Sequence, residues 1–204
     1  MKFYSQSEQD KWVCEYLGYK TNGYFIDVGA YDGIQTSNTY ALEKYLNWEG
    51  ICIEANSFIF NSLQTNRKSK NYNVAVTSYR GYCTFQSDKI ACNDQGGHVI
   101  SCDTLNSILK EANAKEEIDY LSMDIEGEEY NALKGFDFNK WKIKLITIEH
   151  NLYIDGPDKK NKLYELLTSN NFVRIMDNVK CLDTNPAYYN MPYEDWYVNK
   201  EYLK

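Results

Sequence analysis

Two periods alternate along this chain. Nearly unbroken apolar runs stand at 24–28, 118–123 and 144–149, and further strand-like segments at 50–54, 71–76 and 172–176. Short runs without a polar face predict strands covered on both sides, as in parallel sheets. Between them the patterns at 37–46, 57–66, 104–113 and 159–170 read as helical, with an apolar stripe facing a core. A first helix is expected over 7–17, with Ser5 and Glu8 at capping-box spacing before it. The βαβ alternation predicts an α/β fold, a mostly parallel, doubly wound sheet.

Two stretches break this pattern. Tyr82-Cys-Thr-Phe-Gln and His98-Val-Ile-Ser-Cys alternate like exposed strands around Asn93-Asp-Gln-Gly-Gly. Residues 82–102 therefore read as an inserted hairpin or flap. The tail, 178–204, concentrates aromatic residues, and Trp196 to Val198 is expected to form a closing antiparallel strand. Tyr188, Tyr189, Tyr193 and Trp196 have the chemistry to stack on a sugar's apolar face, against the plainer reading of packing. No repeat, linker or low-complexity tract appears, so residues 1–204 read as one domain.

A hydrophobic content of 43% with 15% aromatic residues places the chain among globular proteins rather than disordered ones. Its net charge of −7 argues against a broad phosphate-binding surface, so no nucleic-acid partner is expected. The six cysteines (14, 52, 83, 92, 102, 181) form no C-x-x-C pair, and with His98 they lack zinc-ligand spacing. No secretory signal or long apolar run is seen, which favours a reducing, cytoplasmic setting without membrane insertion.

The chemistry lies at the strand ends. Gly23-Tyr-Phe-Ile-Asp27-Val-Gly29-Ala30-Tyr-Asp32-Gly33 is a strand running into a glycine turn, where α/β folds hold a nucleotide-like cofactor. A dinucleotide fingerprint would have glycine where Asp27 stands. Asp27 and Asp32 would repel a pyrophosphate and suit a ligand with a cationic amine and no phosphate, such as S-adenosylmethionine. The second strand ends at Glu54, placed to accept hydrogen bonds from ribose hydroxyls, and Asn73 to Val76 are placed to frame the adenine. The fourth runs into Asp124-Ile-Glu-Gly-Glu-Glu and the fifth into Glu149-His150-Asn151. Glu128 and Glu129 suit the start of a helix, favoured by its dipole.

Taken in order, Ser5-Gln6, Phe25-Ile-Asp27-Val-Gly29-Ala-Tyr-Asp32-Gly33, Ser37-Asn38-Thr39, Trp48-x-Gly50-x-Cys-Ile-Glu54-Ala-Asn56, Asp124-Ile-Glu126-Gly127-x-Glu129 and Ile148-Glu149-His150-Asn151 resemble FkbM-type methyltransferases over about residues 3–176. The resemblance implies a Rossmann-like class I methyltransferase fold. It also implies O-methylation, commonly of a sugar hydroxyl in a glycan or glycosylated metabolite, with a deoxyhexose such as rhamnose as one example. Cofactor contacts are implied at Gln6, Asp27, Gly29, Ala30, Gly33, Ser37, Asn38, Glu54, Ala55, Asn73, Ala75, Val76, Asp124, Ile125 and Glu126. The stretch 178–193 fits the family less well.

A sugar hydroxyl is a poor acid, so its methylation needs a proton acceptor close to the methyl. His150 and Glu149 lead as candidates, with Asp124 next. A second option is Mg²⁺, because Asp124, Glu149 and Asn151 resemble the oxygen-ligand arrangement of Mg²⁺-dependent O-methyltransferases. Competing readings are an RNA or protein acceptor, a cofactor-binding module without activity in a glycan-building assembly, and a nicotinamide-dependent oxidoreductase. Asp27 disfavours the last. The chain also reads as an excised domain of a longer glycosyltransferase-type polypeptide in one alternative.

Overall fold

The computed structural model describes residues 1–86, 89–91, 97–182 and 189–204. The chain runs α1 (Gln9–Tyr16), β1 (Tyr24–Val28), α2 (Tyr40–Leu46), β2 (Glu49–Ile53), α3 (Ser57–Asn66), β3 (Lys70–Tyr72), β4 (Ala75–Val76), β5 (Gly81–Gln86), β6 (Lys89–Ala91), β7 (His98–Asp103), α4 (Leu105–Glu111), β8 (Glu117–Met123), α5 (Glu129–Leu133), β9 (Lys142–Glu149), α6 (Leu152–Asp155), α7 (Pro157–Ser169), β10 (Phe172–Lys180) and β11 (Pro192–Asn199).

Seven strands form a sheet in the order β10-β11-β9-β8-β1-β2-β3. All its pairings are parallel except those of β11, which is antiparallel to both neighbours. The closing strand is thus present and longer than expected. Every residue of β1 is buried, because side chains of alternate parity enter two separate cores. Ile26 and Val28 join Ile51, Ile53, Leu121 and Ile146 on one face. Phe25 joins Cys52, Leu63, Tyr120 and Leu145 on the other.

Three local expectations are corrected. The capping box does not form: Glu8 adopts a left-handed φ of 66° and makes no cap bond. The Ser5 hydroxyl instead donates to Asp10, which also accepts from the Tyr4 N–H. Helix α2 starts at Tyr40 rather than 37, because the Ser37 hydroxyl accepts from the N–H of Thr39 and of Tyr40 and so holds a turn. The single strand expected over 71–76 splits at Asn73. Its side chain donates to the carbonyls of Glu54 and Ala55 and ends the pairing with β2.

Strand β4 then joins a second sheet, β4-β7-β5-β6. Strands β5 and β7 are the two arms expected within 82–102, in register from Gly81↔Cys102 to Phe85↔His98. Because β7 also pairs with β4, the insertion is fastened to the body of the protein rather than being a loose flap. Most of the turn expected at 93–97 lies outside the described residues, as do Cys92 and Tyr188. The other five cysteines are buried. Among the described residues no helix is long and apolar enough to cross a membrane.

Candidate active site

Strand register builds the site. Val28 lies level with Ile53 on one side and Met123 on the other, and Met123 with Ile148. The next residue on each strand is therefore Gly29, Glu54, Asp124 or Glu149, a row across one rim of the sheet. All four line a cavity of about 550 Å³, within the range of small-molecule sites. A smaller recess adjoins it, lined by Gln6, Gln9, Asp27, Ser37, Asn38 and Asp124 among others.

The turn after β1 is fixed by a close approach. Gly29 has φ +85°, and a Cβ there would lie 1.7 Å from the Asp124 carbonyl oxygen. Gly29 and Ala30 N–H groups both donate to the Ile53 carbonyl, at 2.9 and 3.0 Å. Gly33 shapes the far side of the turn against Arg67 and Leu63. Asp32 accepts from the N–H groups of Ile34 and Gln35, so it closes the turn.

Behind the turn lies a residue that the sequence pattern did not single out. The Arg67 side chain is fully buried, 3.1 Å from Glu43 and 3.9 Å from Asp27. It donates to the Gly33 carbonyl and the Ser37 and Thr39 hydroxyls. Asp27 is 3% exposed and accepts from the Thr39 hydroxyl. Burial raises its carboxyl above the ordinary value, against the opposing pull of Arg67, Thr39 and Ser122. Asp27 therefore meets the recess with part of its charge already balanced from behind.

Glu54 is held by two backbone donors, Tyr31 N–H at 2.9 Å and Asn56 N–H at 2.7 Å. Ala55, Ala75, Val76, Ile59 and Phe85 give this end of the cavity apolar walls. Asn73 does not line it; its bonds to Glu54, Ala55 and the Ser57 hydroxyl hold the loop that does. Asn38 donates to Ser122, while its Oδ1 is buried without a hydrogen-bond partner beside the recess.

The opposite end is acidic. Carboxylate oxygens of Asp124, Glu126 and Glu149 lie within 4.8 Å of one another. Burial, with the charges of Glu126 and Glu129 added, pushes the Asp124 carboxyl up to about 7. Burial and Asp124 hold that of Glu149 well above the usual range. The loop carrying Asp124 and Glu126 is tied down by Glu129, which accepts from the Ile125 and Gly127 N–H groups and from Lys159. Glu129 thus starts α5 as expected and also folds back on the loop.

A further acid was missed. Glu194 sits opposite Glu149 in the β9–β11 register, is buried, and accepts from Gln9 and Trp196. Burial pushes its carboxyl up to about 8. The alternation in Tyr193-Glu-Asp-Trp-Tyr-Val was the available signal, and its aromatic content drew attention to stacking instead. Trp196 is packed against Trp12, with ring centroids 4.8 Å apart. Tyr193 lines the cavity, its hydroxyl held by Gln9 and Ser7.

His150 and Asn151 do not belong to the cavity wall. Successive strand residues face opposite ways, so a Glu149 that meets the cavity turns His150 away from it. The His150 Nδ1 accepts from the Leu152 N–H, and Nε2 donates to Asp195. No ring nitrogen is left to take a proton from an acceptor. Burial works to raise the Asp195 carboxyl, but His150, the Asn178 N–H and Lys160 hold it at about 2. Asn151 donates its N–H to the Tyr193 carbonyl and keeps a buried Oδ1 without a hydrogen-bond partner, while the carboxylates that converge are those of Asp124, Glu126 and Glu149. His150→Gln is expected to lower stability by about 1–3 kcal/mol, while S-adenosylhomocysteine affinity stays within about twofold; melts and calorimetry on one preparation check both.

Comparison with known proteins places this geometry. No curated protein matches the chain. Among solved structures, the METTL16 MTase domain superposes with a TM-score of 0.53 at 11% identity, covering 95% of this chain and 66% of that one. Fibrillarin from Aeropyrum pernix, solved with natively bound S-adenosyl-L-methionine, gives 0.50 at 12% identity, covering 88% and 67%. PH1948 from Pyrococcus horikoshii gives 0.50 at 12%, covering 95% and 82%. At these identities the likeness is one of fold, that of class I S-adenosylmethionine-dependent methyltransferases. A sequence profile described as the methyltransferase FkbM domain matches residues 27–177. The chain belongs to the FkbM methyltransferase family.

Proposed function

We propose that this protein is an S-adenosylmethionine-dependent O-methyltransferase whose acceptor is a sugar hydroxyl in a glycan or glycosylated metabolite. The observation that carries the reading is the meeting of three carboxylates, Asp124, Glu126 and Glu149, beside the turn at Gly29.

The residues present fit the donor. Glu54 is a buried, oriented acceptor for vicinal hydroxyls. The unpartnered Asn38 Oδ1 and the partly balanced Asp27 suit an ammonium group in the recess. Gln6 lines both recess and cavity, and Ala75, Val76 and Phe85 offer apolar surface to an adenine. When bound, S-adenosylmethionine supplies a methyl group already activated by its sulfonium. What remains for the chain is to align the acceptor oxygen and receive its proton. Asp124 and Glu149 stand at that wall, and the apolar faces of Tyr153 and Ile154 lie on the same cavity.

A nucleic-acid acceptor is the weaker reading. The net charge of −7 and the acid cluster would repel phosphates. Asp124-Ile-Glu-Gly also lacks the Asn/Asp-Pro-Pro-aromatic motif of amino-methylating relatives.

The test is calorimetric titration with S-adenosylhomocysteine, with NAD⁺ in parallel. Micromolar binding of the former and none of the latter is expected. Glu54→Gln should weaken it by about 10- to 100-fold, the worth of a hydrogen bond to a charged group. Screening sugars with a labelled methyl donor then reads the acceptor. Folded protein giving no heat with S-adenosylhomocysteine would sink the donor assignment; binding without transfer to any glycoside would favour the inactive module.

A further inference from the structure

We propose that Asp124, Glu126 and Glu149 form a site for one hard divalent cation, Mg²⁺ or Mn²⁺, at the acceptor end of the cavity. Two independent observations meet there. One is the convergence of three carboxylates from two chain segments to within 4.8 Å. The other is the state of Glu149. It is only 5% exposed, it lines the cavity, and its Oε2 has no hydrogen-bond partner. A buried carboxylate oxygen left without a donor is costly unless something else meets it.

The size and the donor set both select the ion. Oxygens around Mg²⁺ lie at about 2.1 Å from the metal, hence about 3–4 Å from one another. From within 4.8 Å of one another, an inward movement of about 1 Å by each oxygen would close the present cluster around it. Carboxylates alone, without imidazole or thiolate, suit Mg²⁺ or Mn²⁺ rather than zinc or copper. Three protein ligands leave positions open for water and for an acceptor oxygen. The loop can hold its shape against the ion's pull because Glu129 anchors the Ile125 and Gly127 N–H groups, and Lys159 is joined to Glu129.

The use of such an ion rests on the methyl-transfer reading; its binding does not. In use, the ion would orient the acceptor hydroxyl and ease loss of its proton, which passes to a carboxylate oxygen that the ion leaves free or to water. The competing account of the same cluster is a proton shared between Asp124 and Glu149, with no ion.

Metal-stripped wild-type protein titrated with Mn²⁺, followed by loss of the free-ion electron paramagnetic resonance signal, separates the two. One site with a dissociation constant at or below about 10⁻⁴ M is expected, the range of built oxygen-ligand sites. Mg²⁺ should displace the Mn²⁺. Glu149→Gln and Asp124→Asn should each weaken binding at least tenfold, while Glu165→Gln, an exposed acid on α7, should leave it unchanged. Circular dichroism and thermal melts on the same variants report whether they fold. In wild-type protein, bound Mn²⁺ should also broaden the proton resonances of bound S-adenosylhomocysteine, which needs no variant. Absence of a site tighter than about 10⁻³ M, binding indifferent to both substitutions, or no broadening would each overturn the proposal. S-adenosylhomocysteine binding that persists without Mn²⁺ binding removes the ion and leaves the methyltransferase reading standing.

Discussion

Gly29→Ala is expected to abolish measurable S-adenosylhomocysteine binding and to lower stability by on the order of 3–5 kcal/mol. The backbone at Gly29 has φ +85°, which costs an alanine about 1–2 kcal/mol by itself. The larger effect is steric. The new Cβ would stand 1.7 Å from the Asp124 carbonyl oxygen, a backbone atom that cannot swing aside. Asp124 is itself pinned, since its N–H donates to the Val28 carbonyl at 2.9 Å. Relief therefore requires β1 and β8 to separate at the point where their ends frame the recess. Gly135→Ala is the control, because a Cβ there meets nothing within 4 Å and its φ is unexceptional. Thermal melts and calorimetry on both variants decide the matter. A Gly29→Ala protein that melts and binds like wild type would show that this contact does not shape the donor site.

The rim of acids was legible because strand register converts a linear pattern into a spatial one. Glu54, Asp124 and Glu149 each follow or end an apolar run, and a parallel sheet brings such ends level with Gly29, two residues beyond Asp27. The helix α3 over 57–66 was also legible from its helical pattern, and the structure adds an Asn56 cap. What sequence could not show was direction. His150 and Glu149 are neighbours in the chain, yet Glu149 lines the cavity while His150, just past β9, bonds to Asp195 and the Leu152 N–H, and nothing in the residue types says which one meets the cavity. Nor does a sequence reveal that Arg67, at the end of α3, reaches across to Asp27. Ion pairs between distant segments leave no periodic trace. The split at Asn73 was hidden for a similar reason, since only the folded chain brings the Glu54 and Ala55 carbonyls to its amide.

Arg67→Met, which keeps much of the side-chain bulk and removes the charge, is expected to cost about 3–5 kcal/mol, the range for stripping one partner from a buried ionic cluster. Glu43 would keep donors, because the Lys68 and Ser69 N–H groups remain bonded to it. Asp27 would keep only the Thr39 and Ser122 hydroxyls in a site where burial already raises its carboxyl. The consequence for pH has a definite sign. A carboxyl whose folded pKa exceeds the unfolded one holds its proton in the folded chain over the interval between the two. Stability from that group is fully present below the unfolded value, about 4. It falls as pH rises towards the folded one. Without the Arg67 charge the folded value rises further, so the fall extends to higher pH. The variant should be closest to wild type in mild acid and furthest from it at neutral and alkaline pH. Asp124, Glu149 and Glu194 are raised too and give both proteins a background of the same sign. The informative quantity is therefore the difference between the two stability curves. With Asp27→Asn in both backgrounds that difference should be flat, because no carboxyl is then left at that position to titrate. Denaturant melts at several pH values on the four proteins measure it directly. A difference that stays constant with pH would mean that Arg67 acts through packing and its bonds to Gly33, Ser37 and Thr39, not through the charge of Asp27.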